Sequence, residues 1–130
     1  MTGLETSELL IEQGNKISVV EMADKIAPGA WFQQLDDAMP KLEAAETEFY
    51  TSTKLVDILP RGIAVEDVKT GKKYNIECDA VVLSMGVRPD NSLYNELKGS
   101  YNNVYAIGDC EKSGRIFNAT QAAYNLAKTI

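Results

Sequence analysis

The sequence predicts an α/β fold with a truncated Rossmann-like parallel sheet, flanking helices and a three-stranded antiparallel meander. Two apolar runs, residues 17–21 and 80–85, have the nearly uninterrupted composition of strands that are covered on both faces. Helical patterns flank the first run, and three segments of alternating apolar and polar residues separate it from the second. Helices that alternate with buried strands are typical of α/β domains.

Four segments predict helices. Residues 4–13 carry apolar side chains between acids and are followed by Gly-Asn, a common helix stop. Residues 31–45 repeat apolar side chains at helical spacing, with Pro40 as a kink or an early break. We expect a helical turn over residues 92–97 and a terminal helix over residues 119–130.

The remaining strands are predicted from short runs between turn residues. Residues 48–52 predict a strand that follows the second helix. Residues 55–59, 63–68 and 73–78 alternate around Pro-Arg-Gly and Thr-Gly-Lys turns, which predicts the antiparallel meander. Residues 104–107 predict one more short, buried strand.

Composition narrows the possible functions. With 130 residues, of which 45% are hydrophobic, the chain can bury a core as one globular domain. The net charge of −6 would repel phosphate backbones, so nucleic acid is not an expected partner. No apolar run is long enough to span a membrane and no signal peptide is recognisable, so we expect a cytoplasmic protein.

The inventory of reactive side chains excludes several enzyme classes. The chain has no histidine and two distant cysteines, so it cannot assemble a zinc site or a Cys-His nucleophile. Cys78 and Cys110 form no Cys-x-x-Cys pair, and we interpret both as small, partly buried thiols without a redox role.

The spacing of Gly3 and Glu21 matches the last two positions of a dinucleotide fingerprint. In G-x-G-x-x-G the third glycine lets helix and strand approach closely, and an acid about 20 residues on binds the adenosine ribose. The first two glycines would fall before or at Met1 and Thr2. The alternatives are an ordinary helix start for Gly3 and a solvated strand-end acid for Glu21. Because no arginine follows Glu21 closely to offset its charge, NADH is expected over NADPH.

Three runs in order strengthen the nucleotide interpretation by resemblance. They are similar to the flavin- and NAD-binding part of the pyridine nucleotide-disulfide reductase superfamily: TGLET at 2–6 with VVEM at 19–22, VLSMGVRP at 82–89, and VYAIGD at 104–109. Within that superfamily, EMADKIAPGAW at 21–31 most resembles the C-terminal region of NADH:flavin oxidoreductases related to 2,4-dienoyl-CoA reductase and 2-enoate reductase. The similarity covers essentially the whole chain.

The resemblance implies a role for five residues. Gly3 would be the last glycine of the NAD loop, Glu21 the ribose acid, and Gly86 the glycine that lets a loop pass close to NAD. Glu5 would lie near the nicotinamide end of that site, and Asp109 would hydrogen-bond the ribityl part of FAD. Local alternatives exist for the other three residues as well: a plain turn glycine at Gly86, a helix-dipole acid at Glu5 and a cap at Asp109. No catalytic residue is expected in the chain, because the cofactors carry the chemistry.

The resemblance also implies a parent enzyme that passes a hydride from NADH to FAD. Electrons would continue to an FMN and an iron–sulfur cluster outside this chain, which would reduce an activated alkene of the enoate or 2,4-dienoyl-CoA type. There are two alternatives. The parent could be an NADH oxidase or a thioredoxin-reductase-like enzyme, or the chain could be a non-catalytic remnant that serves as a structural module.

The domain organisation follows from the same resemblance. Residues 1–100 are expected to be a partial NAD(H)-binding domain that lacks its first strand, and residues 101–130 a C-terminal piece of the FAD-binding domain. The missing strand would lie between the strands at 17–21 and 80–85. We expect the strand at 104–107, or a strand exchanged within a homodimer, to fill that gap. The expected partners are therefore missing N-terminal domains and a small-molecule acceptor.

Overall fold

The structure, a computed structural model, describes all residues from Met1 to Ile130. The chain forms two compact units, Met1–Ser84 and Met85–Ile130. This division concerns packing alone, and the assignment of residues 1–100 and 101–130 to two cofactor domains stays a prediction.

The first unit contains two helices, a parallel pair of strands and an antiparallel meander. In the parallel sheet Ser18 pairs with Glu48 and Val20 with Tyr50. The meander has the strand order β3-β4-β5. This arrangement confirms the mixed α/β class and the meander. The elements in chain order are α1 Thr2–Glu12, β1 Ser18–Val20, α2 Phe32–Ala44, β2 Glu48–Tyr50, β3 Thr53–Leu59, β4 Gly62–Asp67 and β5 Lys73–Glu77.

The helices α1 and α2 pack against each other, and one ion pair joins them. Leu4 of α1 and Leu42 of α2 are both buried. The Lys41 ammonium lies 2.9 Å from a Glu8 carboxylate oxygen on the other helix. Pro40 is inside α2, so the alternative of an early break was wrong. Because proline has no N–H, α2 lacks one backbone hydrogen bond at Pro40. Pro40 is exposed, so water can reach this part of the helix.

The main apolar core lies beneath the meander. Ile63, Val65 and Ile76 are buried, and Val65 is completely enclosed. Val20 and Tyr50 from the end of the parallel pair pack against this cluster. The core therefore joins the two sheets at the point where the parallel strands end.

The prediction of a strand over residues 80–85 was wrong. The segment has no regular secondary structure, and Val82, Leu83 and Met85 are more than half exposed. A continuous apolar run forms a buried strand only where another strand accepts its backbone hydrogen bonds. In this chain β1 pairs with β2 alone, and no strand lies beside the run.

The second unit is built from short helices. They are α3 Ser92–Leu97, a 3₁₀ turn Gly108–Cys110 and α4 Ile116–Ala127. The strand predicted at residues 104–107 was wrong, because these residues form no ladder and Tyr105 and Ile107 are exposed. The proposal that this segment fills the sheet beside β1 is therefore also wrong, while the exchanged-strand homodimer stays a prediction. No helix of the chain combines the length and apolar composition needed to cross a membrane.

Candidate functional site

Gly3 lies in the first turn of α1, where the helix passes close to another segment. The amides of Leu4 and Glu5 donate to the Met1 carbonyl at 2.8 and 3.1 Å, which starts the helix without a side-chain cap. A Cβ at Gly3 would lie 3.2 Å from the Ser84 Cβ and 3.3 Å from its Oγ. Glycine therefore permits a close approach here, as the fingerprint requires, although Ser84 belongs to the run that forms no strand.

Glu5 lies on the exposed side of the same helical turn. Its carboxylate makes no hydrogen bond or ion pair within the chain. The positive end of the helix dipole favours an acid at this position. The structure thus agrees with the local explanation, and a position near nicotinamide stays a prediction.

Glu21 directly follows β1, at the carboxyl end of the parallel pair. Its backbone continues the sheet, because its N–H donates to the Tyr50 carbonyl at 2.9 Å and its carbonyl accepts from the Thr53 N–H at 3.0 Å. Its side chain turns back, and Oε1 accepts the Ala23 N–H at 2.9 Å. Ligands of α/β sheets bind beyond the carboxyl ends of parallel strands. Glu21 is therefore where a nucleotide-binding acid is expected.

The chemistry of Glu21 fits a ribose. An ionised carboxylate only accepts hydrogen bonds, and its two oxygens offer about four acceptor positions. One of these positions is used by Ala23. The half-buried side chain therefore keeps capacity for a sugar hydroxyl. The exposed Asp24 nearby adds negative charge, which opposes a 2′-phosphate.

Gly86 and Asp109 belong to the second unit. Gly86 has φ of 78° and no atom within 4 Å of a Cβ built on it, so its backbone conformation, not crowding, favours glycine. Asp109 lies in the 3₁₀ turn, and its Oδ1 accepts the Gly114 N–H at 3.1 Å. Asp109 thus acts as a local cap here, and its exposed carboxylate keeps acceptor capacity for a ribityl hydroxyl.

Sequence reasoning missed the groups that hold Glu21. The Ala23 N–H fixes the carboxylate, and Ser52 holds Ala23 through a 2.7 Å bond from its own N–H to the Ala23 carbonyl. Ser52 adopts a left-handed backbone with φ of 50° and is buried. The Thr-Ser-Thr run at residues 51–53 was the available signal, since such residues favour turns.

A second polar cluster lies across the parallel strands. Glu48 Oε2 accepts hydrogen bonds from the Tyr50 hydroxyl at 2.9 Å and from the Ser18 hydroxyl at 3.2 Å. These donors, Tyr50 first, hold the pKa of Glu48 below its usual value. The same bond raises the pKa of Tyr50. The cluster ties β1 to β2 on an exposed surface.

A parallel strand pair, an acid at its carboxyl end and a glycine in the first turn of the preceding helix are features of dinucleotide-binding domains. The family model of pyridine nucleotide-disulphide oxidoreductases matches residues 1–125. The chain therefore belongs to that family, whose members bind FAD and NAD(P)H.

Curated relatives align along nearly all of the chain. Bilirubin reductase of Mediterraneibacter gnavus is 30% identical over 131 residues, which is 100% of this chain and 20% of that protein. NADH oxidase of Thermoanaerobacter brockii is 32% identical and shares 98% of this chain and 20% of its own length. Cinnamate reductase of Clostridium sporogenes is 24% identical over 100% of this chain and 20% of that protein. The chain thus spans about a fifth of these relatives.

A solved structure shares the fold. The chain superposes on 2-naphthoyl-CoA reductase with a TM-score of 0.72 and 24% identity, over 98% of this chain and 19% of that one. This match confirms the Rossmann-like fold.

Proposed function

We propose that this chain binds NADH and orients it for hydride transfer to FAD. The observation that carries the proposal is Glu21, an acid at the carboxyl end of a parallel strand whose side chain is fixed by the Ala23 amide. A carboxylate in that place accepts ribose hydroxyls. Membership in the oxidoreductase family supports the same role.

The residues of this chain would bind and orient, and the cofactors would react. When bound, NADH supplies a hydride and FAD accepts it. Gly3 would let the start of α1 pack closely against the neighbouring segment, and the helix dipole would favour the negative charge of the pyrophosphate at this end of α1. Gly86 would keep its loop narrow beside NAD, and Asp109 would accept a hydrogen bond from the ribityl chain of FAD. Glu5 would line the nicotinamide end.

The charge near Glu21 supports a preference for NADH over NADPH. A 2′-phosphate would lie against the Glu21 carboxylate, with the Asp24 carboxylate three residues away in sequence. Each like charge in a partly exposed site opposes binding by about 1 kcal/mol or more. NADPH binding should therefore be weaker by about tenfold or more.

We further propose that the parent enzyme reduces activated alkenes, with FMN and an iron–sulfur cluster in domains outside this chain and a small-molecule acceptor. The likeness to cinnamate reductase over the whole chain supports this reaction class. Since the chain spans about a fifth of its relatives, the acceptor site would lie in the remaining domains. The two free cysteines are consistent with a reducing, cytoplasmic environment.

A second candidate is an NADH oxidase, favoured by the 32% identical relative of that name. The two activities differ in their electron acceptor. An alkene reductase should oxidise NADH without oxygen when cinnamate is supplied. An oxidase should consume NADH only when oxygen is present.

The nucleotide role is tested by calorimetric titration of NADH into the full-length protein. Glu21→Ala removes a charged acceptor, and hydrogen bonds to charged groups contribute about 1.5–3 kcal/mol. We expect NADH affinity to fall at least tenfold. Asp24→Ala is the matched control, since it removes an exposed acid three residues away, and it should change the affinity less than threefold. Equal effects of the two substitutions, or none, would contradict the role of Glu21.

A further inference from the structure

The segment that carries Glu21 is tied to the beginning of the meander. Glu21 and Ala23 exchange three backbone hydrogen bonds with the joint between β2 and β3. They run from the Glu21 N–H to the Tyr50 carbonyl at 2.9 Å, from the Thr53 N–H to the Glu21 carbonyl at 3.0 Å and from the Ser52 N–H to the Ala23 carbonyl at 2.7 Å. Residues 21–23 are therefore held like a short extension of the sheet, although they form no strand.

The other side of this joint is anchored to β4 and its continuation. The Ser52 carbonyl accepts the Val68 N–H at 2.7 Å. Thr53 is buried, and its hydroxyl lies 2.9 Å from the Thr51 carbonyl and 3.4 Å from the Tyr74 hydroxyl. The turn at Ser52 thus connects the Glu21 segment to the core of the meander, and Ser52 and Thr53 hold the carbonyls of Ala23 and Glu21 on either side of the Ala23 N–H.

We propose that the Ala23 amide is a positioning group for the Glu21 carboxylate, held in place by the Ser52 turn. This inference rests on the proposed NADH role of Glu21. A free glutamate side chain samples several rotamers, and fixing it on binding reduces affinity. The 2.9 Å bond from the Ala23 N–H to Oε1 selects one orientation before the ligand arrives. It uses one acceptor position of Oε1 and leaves Oε2, with the other position of Oε1, to accept from the adenosine ribose.

The alternative is that the Ala23 bond only stabilises its own turn. In that case its loss would reduce folding stability and leave ligand affinity unchanged. The two explanations differ in one measurable property, namely whether the contribution of Ala23 to binding depends on the Glu21 side chain.

The test is calorimetric titration of ADP-ribose into the full-length holoenzyme. Ala23→Pro removes the amide hydrogen that Oε1 accepts. Met22→Pro is the matched control, because it removes the neighbouring amide hydrogen, for which the structure shows no acceptor. Reduced nicotinamide mononucleotide serves as a second probe, since it lacks the adenosine half.

We expect Ala23→Pro to weaken ADP-ribose binding about tenfold, the effect of one charge-assisted hydrogen bond. Met22→Pro should change it less than twofold, and neither should alter binding of reduced nicotinamide mononucleotide. In a Glu21→Ala background, Ala23→Pro should have no further effect. If Ala23→Pro does not fold, replacement of residue 23 by lactic acid removes the same hydrogen and keeps the side chain.

The outcomes separate the inference from the proposed function. If Glu21→Ala weakens ADP-ribose binding but the loss of the Ala23 amide does not, the positioning role is wrong and the ribose role stands. The positioning role is also wrong if Ala23→Pro weakens binding equally with and without Glu21. If Glu21→Ala itself leaves ADP-ribose affinity unchanged, the ribose role is wrong.

Discussion

Replacing Gly62 by alanine should destabilise the meander strongly. Gly62 begins β4 and pairs with Leu59 on one side and Glu77 on the other. Its φ is 148°, and an added Cβ would lie 2.2 Å from the Ile76 carbonyl oxygen and 3.0 Å from the Glu77 Cα. Both atoms belong to the backbone of the paired segment, so no side chain can rotate away to relieve the contact.

The cost follows from this geometry. Carbon and oxygen atoms in adjacent strands approach to about 3.3 Å, so the two strands would have to move apart by about 1 Å to relieve the contact. Such a movement breaks the hydrogen bonding at the end of the ladder and strains the turn. With about 1 kcal/mol for each lost hydrogen bond and about 1–3 kcal/mol for the overpacking, we expect about 3–5 kcal/mol of unfolding free energy to be lost. That is a large part of the stability of an ordinary domain.

Gly71→Ala is the control, because Gly71 also has a positive φ of 71° but no atom within 4 Å of the added Cβ. This variant should lose only the unfolding free energy that corresponds to holding alanine in a left-handed conformation, about 1–2 kcal/mol. Urea denaturation followed by circular dichroism measures both variants. Losses that agree within about 0.5 kcal/mol would show that the contact with Ile76 contributes nothing and would refute the reasoning.

Two further predictions concern the site and its supports. Gly3→Ala should place a Cβ 3.2 Å from the Ser84 Cβ. The cost of this crowding should offset the roughly 1 kcal/mol of helix stability that alanine gains over glycine. In a Ser84→Gly background the crowding disappears, so a double-mutant cycle in urea should give a coupling of about 1 kcal/mol, and additive effects would contradict the contact. Tyr50→Phe keeps the aromatic ring but removes the main donor that lowers the pKa of Glu48. A carboxyl group whose pKa is lowered in the folded protein stabilises the fold at a pH above its unfolded pKa, and this stabilisation is lost in acid. The variant should therefore be less stable than wild type at pH 7, and the difference in stability should shrink below about pH 4.3. A difference that stays constant between pH 7 and pH 3 would contradict this.

The elements that the sequence predicted correctly are those with a complete local signal. The helix α2 shows apolar residues at helical spacing, and the strands of the meander alternate between Pro-Arg-Gly and Thr-Gly-Lys turns. The strand predictions for residues 80–85 and 104–107 failed for a different reason. Their composition indicates that they suit a buried strand, but a strand also needs a neighbour, and no local pattern contains that neighbour.

The candidate site was predictable to the same limited extent. The distance in sequence between Gly3 and Glu21 singled out both residues, and the structure shows crowding at Gly3 and an anchored carboxylate at Glu21, while their role in nucleotide binding stays a prediction. The Ala23 amide could not be identified, because a backbone donor is present at nearly every residue. The Thr-Ser-Thr run at residues 51–53 favours a turn, but it does not indicate the left-handed backbone at Ser52, since serine has no preference for that conformation.

The Ser52 turn connects the meander to the candidate nucleotide site. The strands of the meander contribute no predicted ligand contact, yet their first turn holds Ala23 and, through it, the Glu21 carboxylate. A movement of β4 that displaces Val68 would act on the Ser52 carbonyl directly. In the proposed ribose site, recognition would therefore depend on the meander as well, because backbone hydrogen bonds from both sheets hold the segment that carries the carboxylate.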